Sequence, residues 1–203
     1  MEEQVSQTVG LTGYAGSGKD TAAQALLDIG WERRAFADNL RGKVADDSGP
    51  ATGLLGIDPI VGSFEDGEWP FFNDDQIDVR LSAIIAEHSW DVAKRECPEV
   101  RRLQQTYGTE GGRNVHGQDC WIKAARATLV PGVDYVFTDV RFPNELEMIH
   151  QCGGVVIRID RPGVGPVNAH SSDDIGGLNV DYEIQNDGTI YSLHYWITQL
   201  VGA

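Results

Sequence analysis

Within nine residues, Gly13-Tyr14-Ala15-Gly16-Ser17-Gly18-Lys19-Asp20-Thr21 gathers three glycines, a lysine, two aliphatic hydroxyls and a carboxylate. Glycines let a backbone bend until several N–H groups face one anion, and a lysine adds a mobile charge for the outer phosphates. The spacing G-x-x-x-x-G-K is that of a phosphate cradle. Gly13, Ala15, Gly16, Ser17, Gly18, Lys19, Asp20 and Thr21 are therefore candidate triphosphate contacts, with Lys19 a candidate catalytic residue. The position after the lysine ordinarily carries Ser or Thr to ligate magnesium. Here it is Asp20, with Thr21 one step later. Either could face the metal, and Asp20 could instead cap a helix.

A second carboxylate ends the apolar run Tyr135-Val136-Phe137-Thr138-Asp139. A strand ending in Asp beside such a loop holds magnesium or its water, so Asp139 joins Asp20 and Thr21 as a candidate metal ligand. The competing reading is that Asp139 caps the helix start at Pro143. Arg141 stands two residues on, close enough in sequence to serve a transferring phosphoryl group. Glu145 and Glu147 fall where a helix dipole favours negative charge.

The elements that position these groups follow from the pattern. The loop is a Walker A element only if a strand precedes it and a helix follows it. Apolar runs predict strands at Thr8–Thr12, Arg34–Ala37, Tyr135–Asp139, Val155–Asp160 and Tyr182–Gln185. Helices are expected at Lys19–Ile29, Asp38–Ala45, Pro143–Cys152 and Thr189–Val201. Short apolar strands alternating with helices imply an α/β fold with a parallel sheet of about five strands covered on both faces. The middle breaks the alternation. From Val44 to Val79 there are nine carboxylates and no Lys or Arg, which reads as an irregular or mobile insertion. Two helices are expected after it, at Ile77–Arg95 and Pro98–Tyr107, with Pro98 suited to a first turn.

Composition narrows the function classes. The 203-residue chain carries 16 basic and 31 acidic side chains, a net charge of −15. That charge argues against non-specific nucleic-acid binding, which needs a basic surface. The cations cluster: Arg33, Arg34, Arg41 and Lys43 near the second strand, Arg101, Arg102 and Arg113 around a glycine-rich stretch, and Arg158 and Arg161 at the fourth strand. Guanidinium forks grip phosphates bidentately, so the set suggests a focused anion site; surface salt bridging is the bland alternative. Cys97, Cys120 and Cys152 show no C-x-x-C spacing and read as buried small residues in a reducing compartment. The acidic N-terminus is unlike a signal peptide, and no apolar run suits a membrane span. The expectation is a cytoplasmic protein.

Several blocks together resemble a family, the phage deoxynucleoside monophosphate kinases. Gly18-Lys19-Asp20-Thr21 is similar to their G-K-D-T loop, and Phe36-Ala37-Asp38-Asn39-Leu40-Arg41 to the segment after their second strand. Arg101-Arg102-Leu103-Gln104-Gln105-Thr106-Tyr107-Gly108-Thr109-Glu110 resembles their R-x-L-x-Q-x-x-G-T-[DE] block, and Asp119-Cys120-Trp121-Ile122-Lys123 the one that follows. Thr138 to Glu145, Arg161-Pro162-Gly163, His170-x-Ser172-Asp173 and Asn186-Asp187-Gly188-Thr189 come in the family's order.

The resemblance implies a single P-loop kinase-type domain over 1–203, three layers α/β/α, with a mostly helical acceptor-binding insertion at 44–132 and a lid-like segment at 161–180. It implies ATP and Mg2+, with a deoxynucleoside monophosphate as acceptor. It places Arg161, Asn186, Asp187 and Gly188 at the ATP site, the last three near the adenine ring. Asp38, Arg41, Arg101, Arg102, Gly108, Arg113 and Trp121 would serve the acceptor; for Trp121 a core role is the commoner explanation. His170 would contact phosphate or be an ordinary surface histidine. A homodimer is compatible. The alternatives are a P-loop kinase of another phosphorylated metabolite, of the phosphomevalonate or dephospho-coenzyme A type, and a nucleotide-binding switch or DNA-handling ATPase. The first is separated by an acceptor screen. The second is disfavoured by the lack of an N-K-x-D motif and by the negative charge.

Overall fold

A computed structural model describes residues 6–40, 60–63, 78–166 and 175–202. The chain divides into two compact units. One comprises Met1–Phe36 with Ile122–Ala203, the other Ala37–Trp121.

The first unit is built on β1 (Thr8–Thr12), the run TVGLT, every residue of which is buried. It is flanked by β5 (Tyr135–Phe137) and β6 (Val155–Asp160), with β2 (Glu32–Arg34) and β7 (Tyr182–Gln185) at the edges; the order is β2-β5-β1-β6-β7. Every pairing is parallel, with Val9 opposite both Val136 and Val155. A parallel sheet must be covered on both faces, and this one is. On one face α1 (Lys19–Leu27) and α8 (Ile190–Val201) pack together, with Ala22, Leu26, Leu193 and Ile197 in one core with Val9, Leu11, Ile157 and Ile159. The small alanines at 22, 23 and 25 let α1 lie close. On the other face, α7 (Pro143–Gln151) sits above Gly10. A Cβ at Gly10 would lie 2.8 Å from Val140 Cγ2 and 3.2 Å from Ile149 Cγ1, so the glycine admits the helix. The result is the three-layer α/β/α arrangement with a five-stranded parallel sheet.

Unit two has its own core. Leu40, Leu81, Ile84, Ile85, Ala93, Cys97 and Val100 form a buried cluster, with Trp90, Leu103, Tyr107 and Trp121 against it. Its elements are the antiparallel pair β3 (Ile60–Ser63) and β4 (Asp78–Arg80), then α2 (Leu81–Glu87), α3 (Trp90–Glu96) and α4 (Pro98–Thr106). A π-helix, Tyr107–Arg113, and the short α5 (Asn114–His116) follow, and α6 (Cys120–Arg126) leads back.

Four expectations need correction. The second strand ends at Arg34, not Ala37, because its partner β5 ends opposite it at Phe137; Phe36–Asp38 then form a 3-10 turn. That turn replaces the start of the helix expected at Asp38–Ala45, whose remainder from 41 lies outside the described residues. The helix expected at Ile77–Arg95 is instead a strand and two helices. Ser89 breaks it with φ 142° and caps α3 by accepting from the Val92 N–H at 3.3 Å, the usual work of a serine at a helix start. The acidic stretch read as irregular contributes the paired strands β3 and β4; residues 44–59 and 64–77 lie outside the described residues. The three cysteines are free, Cys97 buried and the others half-buried. Among the described residues no helix is long and apolar enough to cross a membrane.

Candidate active site

The phosphate loop emerges from the C-terminal end of the central strand, the place where open α/β sheets bind ligands. Gly13, Gly16 and Gly18 all have positive φ, at 146°, 82° and 107°. A side chain at Gly13 would press against the Ile159 carbonyl oxygen of the neighbouring strand, and one at Gly18 against the Asn186 side chain. Gly18 is also the N-cap of α1 and supplies no side-chain acceptor. The helical ladder starts with Ala22 N–H to Gly18 O at 2.9 Å, so the N–H groups of Lys19, Asp20 and Thr21 precede it. Donors at a helix start with no side-chain cap, in a glycine cradle, are the arrangement that receives a phosphate. The Lys19 ammonium lies across the loop, donating to Gly13 O at 2.7 Å and Tyr14 O at 2.8 Å. Ser17 and Thr12 are almost fully buried, and neither hydroxyl has a protein partner.

Asp139 follows β5 in the strand order next to β1. Its Oδ1 accepts the Phe36 N–H at 2.8 Å, and the Phe36 ring stacks on Phe137 with centroids 4.9 Å apart. The carboxylate thereby ties the end of β2 to the end of β5. The helix-cap reading of Asp139 is not what the hydrogen bonding gives: α7 is capped by Glu145. That carboxylate, 3% exposed, accepts the N–H of Arg141 at 2.8 Å and of Phe142 at 3.2 Å through Oε2. Glu145 is the residue that sequence reasoning undervalued. A Glu at the third helical position, after a Pro start, is the sequence half of a capping box, and that signal was present. No group of three or more His, Cys, Asp or Glu able to enclose a metal occurs among the described residues.

The remaining candidates separate into distinct environments. Asn186 sits at the end of β7 and donates from Nδ2 to Ser17 O at 2.8 Å, so its side chain meets the phosphate loop. Asp187 and Gly188 are exposed in the turn before α8, and Arg161 is exposed after β6. Arg158 is fixed structurally, donating to Glu183 at 2.8 Å and to the carbonyls of Leu178 and Ile175 at 2.7 and 3.3 Å.

Within unit two, Arg102 grips Glu99 bidentately, both contacts at 2.7 Å. The guanidinium hydrogen bond outweighs the opposing effect of burial and holds the Glu99 carboxyl below its ordinary range. Arg101, one residue earlier on α4, is half-buried. Arg113 is buried at the end of the π-helix and donates to Gln118 O at 3.0 Å. Trp121 donates from its indole N–H to Gly108 O at 2.7 Å, and its ring lies so close to Gly112 that a Cβ there would collide with it. Asp38 ends the 3-10 turn, half-buried. Arg41, His170, Ser172 and Asp173 lie outside the described residues.

A family profile described as deoxynucleotide monophosphate kinase matches residues 68–197. The chain belongs to that family. A protein of Acanthamoeba polyphaga mimivirus, assigned by name as a deoxynucleotide monophosphate kinase, is 30% identical over 167 residues, covering 81% of this chain and 79% of the relative. The deoxynucleoside-5'-monophosphate kinase of Escherichia phage T5 is 29% identical over 191 residues, covering 72% and 73%. Membership makes the protein a monophosphate kinase, a transferase of phosphoryl groups. Within the family match fall Asp139, Arg141, Asn186, Arg101, Arg102 and Arg113; the phosphate loop and Arg41 precede it.

Proposed function

We propose that this protein transfers the γ-phosphoryl group of ATP to the phosphate of a deoxynucleoside monophosphate, giving the diphosphate, by P-loop kinase chemistry. The observation that carries this reading is the glycine cradle with Lys19 at the start of α1, in a chain of the deoxynucleotide monophosphate kinase family. Gly13 to Thr21 would take the triphosphate, with Arg161 and Asn186 to Gly188 on the same nucleotide. Arg41, Arg101 or Arg102, Arg113, Asp38, Gly108 and Trp121 would serve the acceptor, and 161–180 would act as a lid.

The acceptor oxygen is already anionic, so the reaction needs no strong base. What it needs is alignment and neutralisation of charge on the transferring group. Lys19 supplies a positive charge at the loop, and the Arg141 guanidinium a second. Asp139, with Asp20 or Thr21, would hold magnesium. A magnesium ion held there would offset the negative charge of the phosphates. Asp139 is suited to a ligand's role because its hydrogen bond to Phe36 fixes the carboxylate's orientation.

A homodimer belongs to the same reading. Helix α8 exposes Tyr191, Tyr195 and Trp196, and none of its twelve positions is Asp, Glu, Lys or Arg. In a molecule of net charge −15, an uncharged face is where two like-charged copies meet at least electrostatic cost.

The deciding experiment is a coupled ADP-release assay with magnesium-ATP over all deoxy- and ribonucleoside monophosphates. Release that depends on a deoxynucleoside monophosphate is expected. Turnover only with another phosphorylated metabolite, or hydrolysis stimulated by DNA without a phosphorylated product, overturns the reading.

A further inference from the structure

Asn186 is joined to three parts of the nucleotide-binding half at once. Its backbone N–H donates to Asp160 O at 2.6 Å, which locks the end of β7 to the end of β6. Its side-chain Nδ2 reaches 169 residues back along the sequence and donates to Ser17 O at 2.8 Å. The same side chain lies where a Cβ on Gly18 would stand, so the absence of a side chain at 18 and the presence of an amide at 186 are one packing solution. Leu193 of α8 closes the other side, 3.4 Å from that Cβ position.

Ser17 is the last residue before Gly18 and Lys19. Its carbonyl lies one residue before that of Gly18, the N-cap whose oxygen takes the Ala22 N–H, and its own N–H is already used on Tyr14 O at 3.1 Å. A hydrogen bond to the Ser17 carbonyl fixes the tilt of the Ser17–Gly18 peptide plane. The same plane carries the Gly18 N–H, one of the donors of the cradle. At φ 107°, Gly18 has no Cβ to restrict this plane, so something else must hold it.

The geometry points to Asn186 as a positioning residue for the phosphate loop: its amide clamps the Ser17–Gly18 peptide and so presets the cradle's N–H groups for a polyphosphate. This rests on the proposed phosphate-binding role of the loop. It differs from an adenine contact at the same residue, because an amide N–H is committed to the loop backbone rather than to a base.

The two roles separate by probe. ATP and inorganic tripolyphosphate share the polyphosphate and differ in the nucleoside. Binding of each to the full chain is measured by calorimetry for wild type and Asn186→Ala, with deoxynucleoside monophosphate affinity and Tm alongside. Clamping predicts that the variant weakens ATP and tripolyphosphate by the same factor, about tenfold for one lost oriented hydrogen bond. Monophosphate affinity stays within about twofold and Tm falls by no more than about 5 °C. Weakening of ATP with tripolyphosphate unchanged assigns Asn186 to the base and overturns the proposal. So does no weakening of either, or a joint loss of all three ligands with a large fall in Tm. Wild type that binds neither polyphosphate removes the phosphate-loop reading and this proposal together. If Asn186→Ala does not fold, Asn186→Ser carries the same comparison.

Discussion

The Glu145 carboxylate accepts the backbone N–H of Arg141 at 2.8 Å while being almost fully buried. One oxygen also takes the Phe142 N–H at 3.2 Å. Arg141 therefore leaves the sheet at an angle set by a residue on the following helix. Removing the acceptor leaves two N–H groups without it. Glu145→Ala is expected to lower stability by about 2–3 kcal/mol and to reduce turnover by displacing Arg141. Glu145→Gln keeps an amide oxygen and should lose less of both. Denaturant melts and ADP-release rates check this; an unchanged kcat in Glu145→Ala would separate Glu145 from the placement of Arg141.

Lys19→Ala is expected to reduce kcat by roughly 10²–10³-fold, the range for removing one preorganised electrostatic contact. The Gly13 and Tyr14 carbonyls lose their ammonium donor, so a small drop in Tm accompanies it. Near-normal turnover in a folded variant would take Lys19 out of the catalytic set.

Two glycines with positive φ make an internal control. Gly13 has φ 146° and its missing side chain would meet the Ile159 carbonyl oxygen and, at 2.6 Å, Ser17 Oγ. Gly30 has φ 99° and open space around it. Gly30→Ala should cost about 1–2 kcal/mol, the backbone term alone. Gly13→Ala adds a clash with rigid backbone and should cost about 2–4 kcal/mol, with ATP affinity lost in step. Equal melts for the two variants would contradict the close approach of the loop to β6.

Trp121 has its indole N–H on Gly108 and its ring on Gly112. Trp121→Phe removes that hydrogen bond and part of the ring volume, an expected loss of about 1–3 kcal/mol. If its work is packing, KM for the monophosphate stays within about twofold. A selective rise in that KM, without loss of stability, would instead assign Trp121 to the base.

The pair His150 and Asp181 predicts an acid-side effect. His150 Nε2 and Asp181 Oδ2 are 2.8 Å apart, and the same oxygen accepts the Val156 N–H at 2.7 Å. Burial works against the charged form, but the Val156 amide and the His150 ring outweigh it and hold the Asp181 carboxyl below its ordinary value. A depressed carboxylate stabilises the fold above its unfolded pKa, near 3.9, and that stability is lost as pH falls through the lower folded value. Melts between about pH 5 and pH 3 should fall more steeply for wild type than for Asp181→Asn; parallel curves would contradict the coupling.

The sequence determined the parts of this protein that depend on local chemistry. The apolar runs at Thr8–Thr12, Tyr135–Asp139 and Val155–Asp160 became the three inner strands of the parallel sheet, because a strand covered on both faces must be largely apolar. The edge strand β2, Glu32–Arg34, is charged and mostly exposed, and its apolar neighbours at 35–37 are not strand. The G-x-x-x-x-G-K spacing marked the phosphate loop, because only glycine adopts φ near 107° and 146° without strain. What local pattern missed was set by neighbours distant in the chain. The second strand stops at Arg34 because β5 stops at Phe137, and no feature of 32–37 says so. Ser89 was available as a cap signal, but an apolar period on either side of it reads as one helix until the core of unit two divides it. The jobs of individual side chains were decided later still. Asp139 meets Phe36 across 103 residues, and Asn186 meets Ser17 across 169. Hydrogen bonds of that span exist only once the sheet order brings β2 beside β5 and the end of β7 to the loop. Thus residue types and spacing named the chemistry, and the tertiary fold chose which groups aim it.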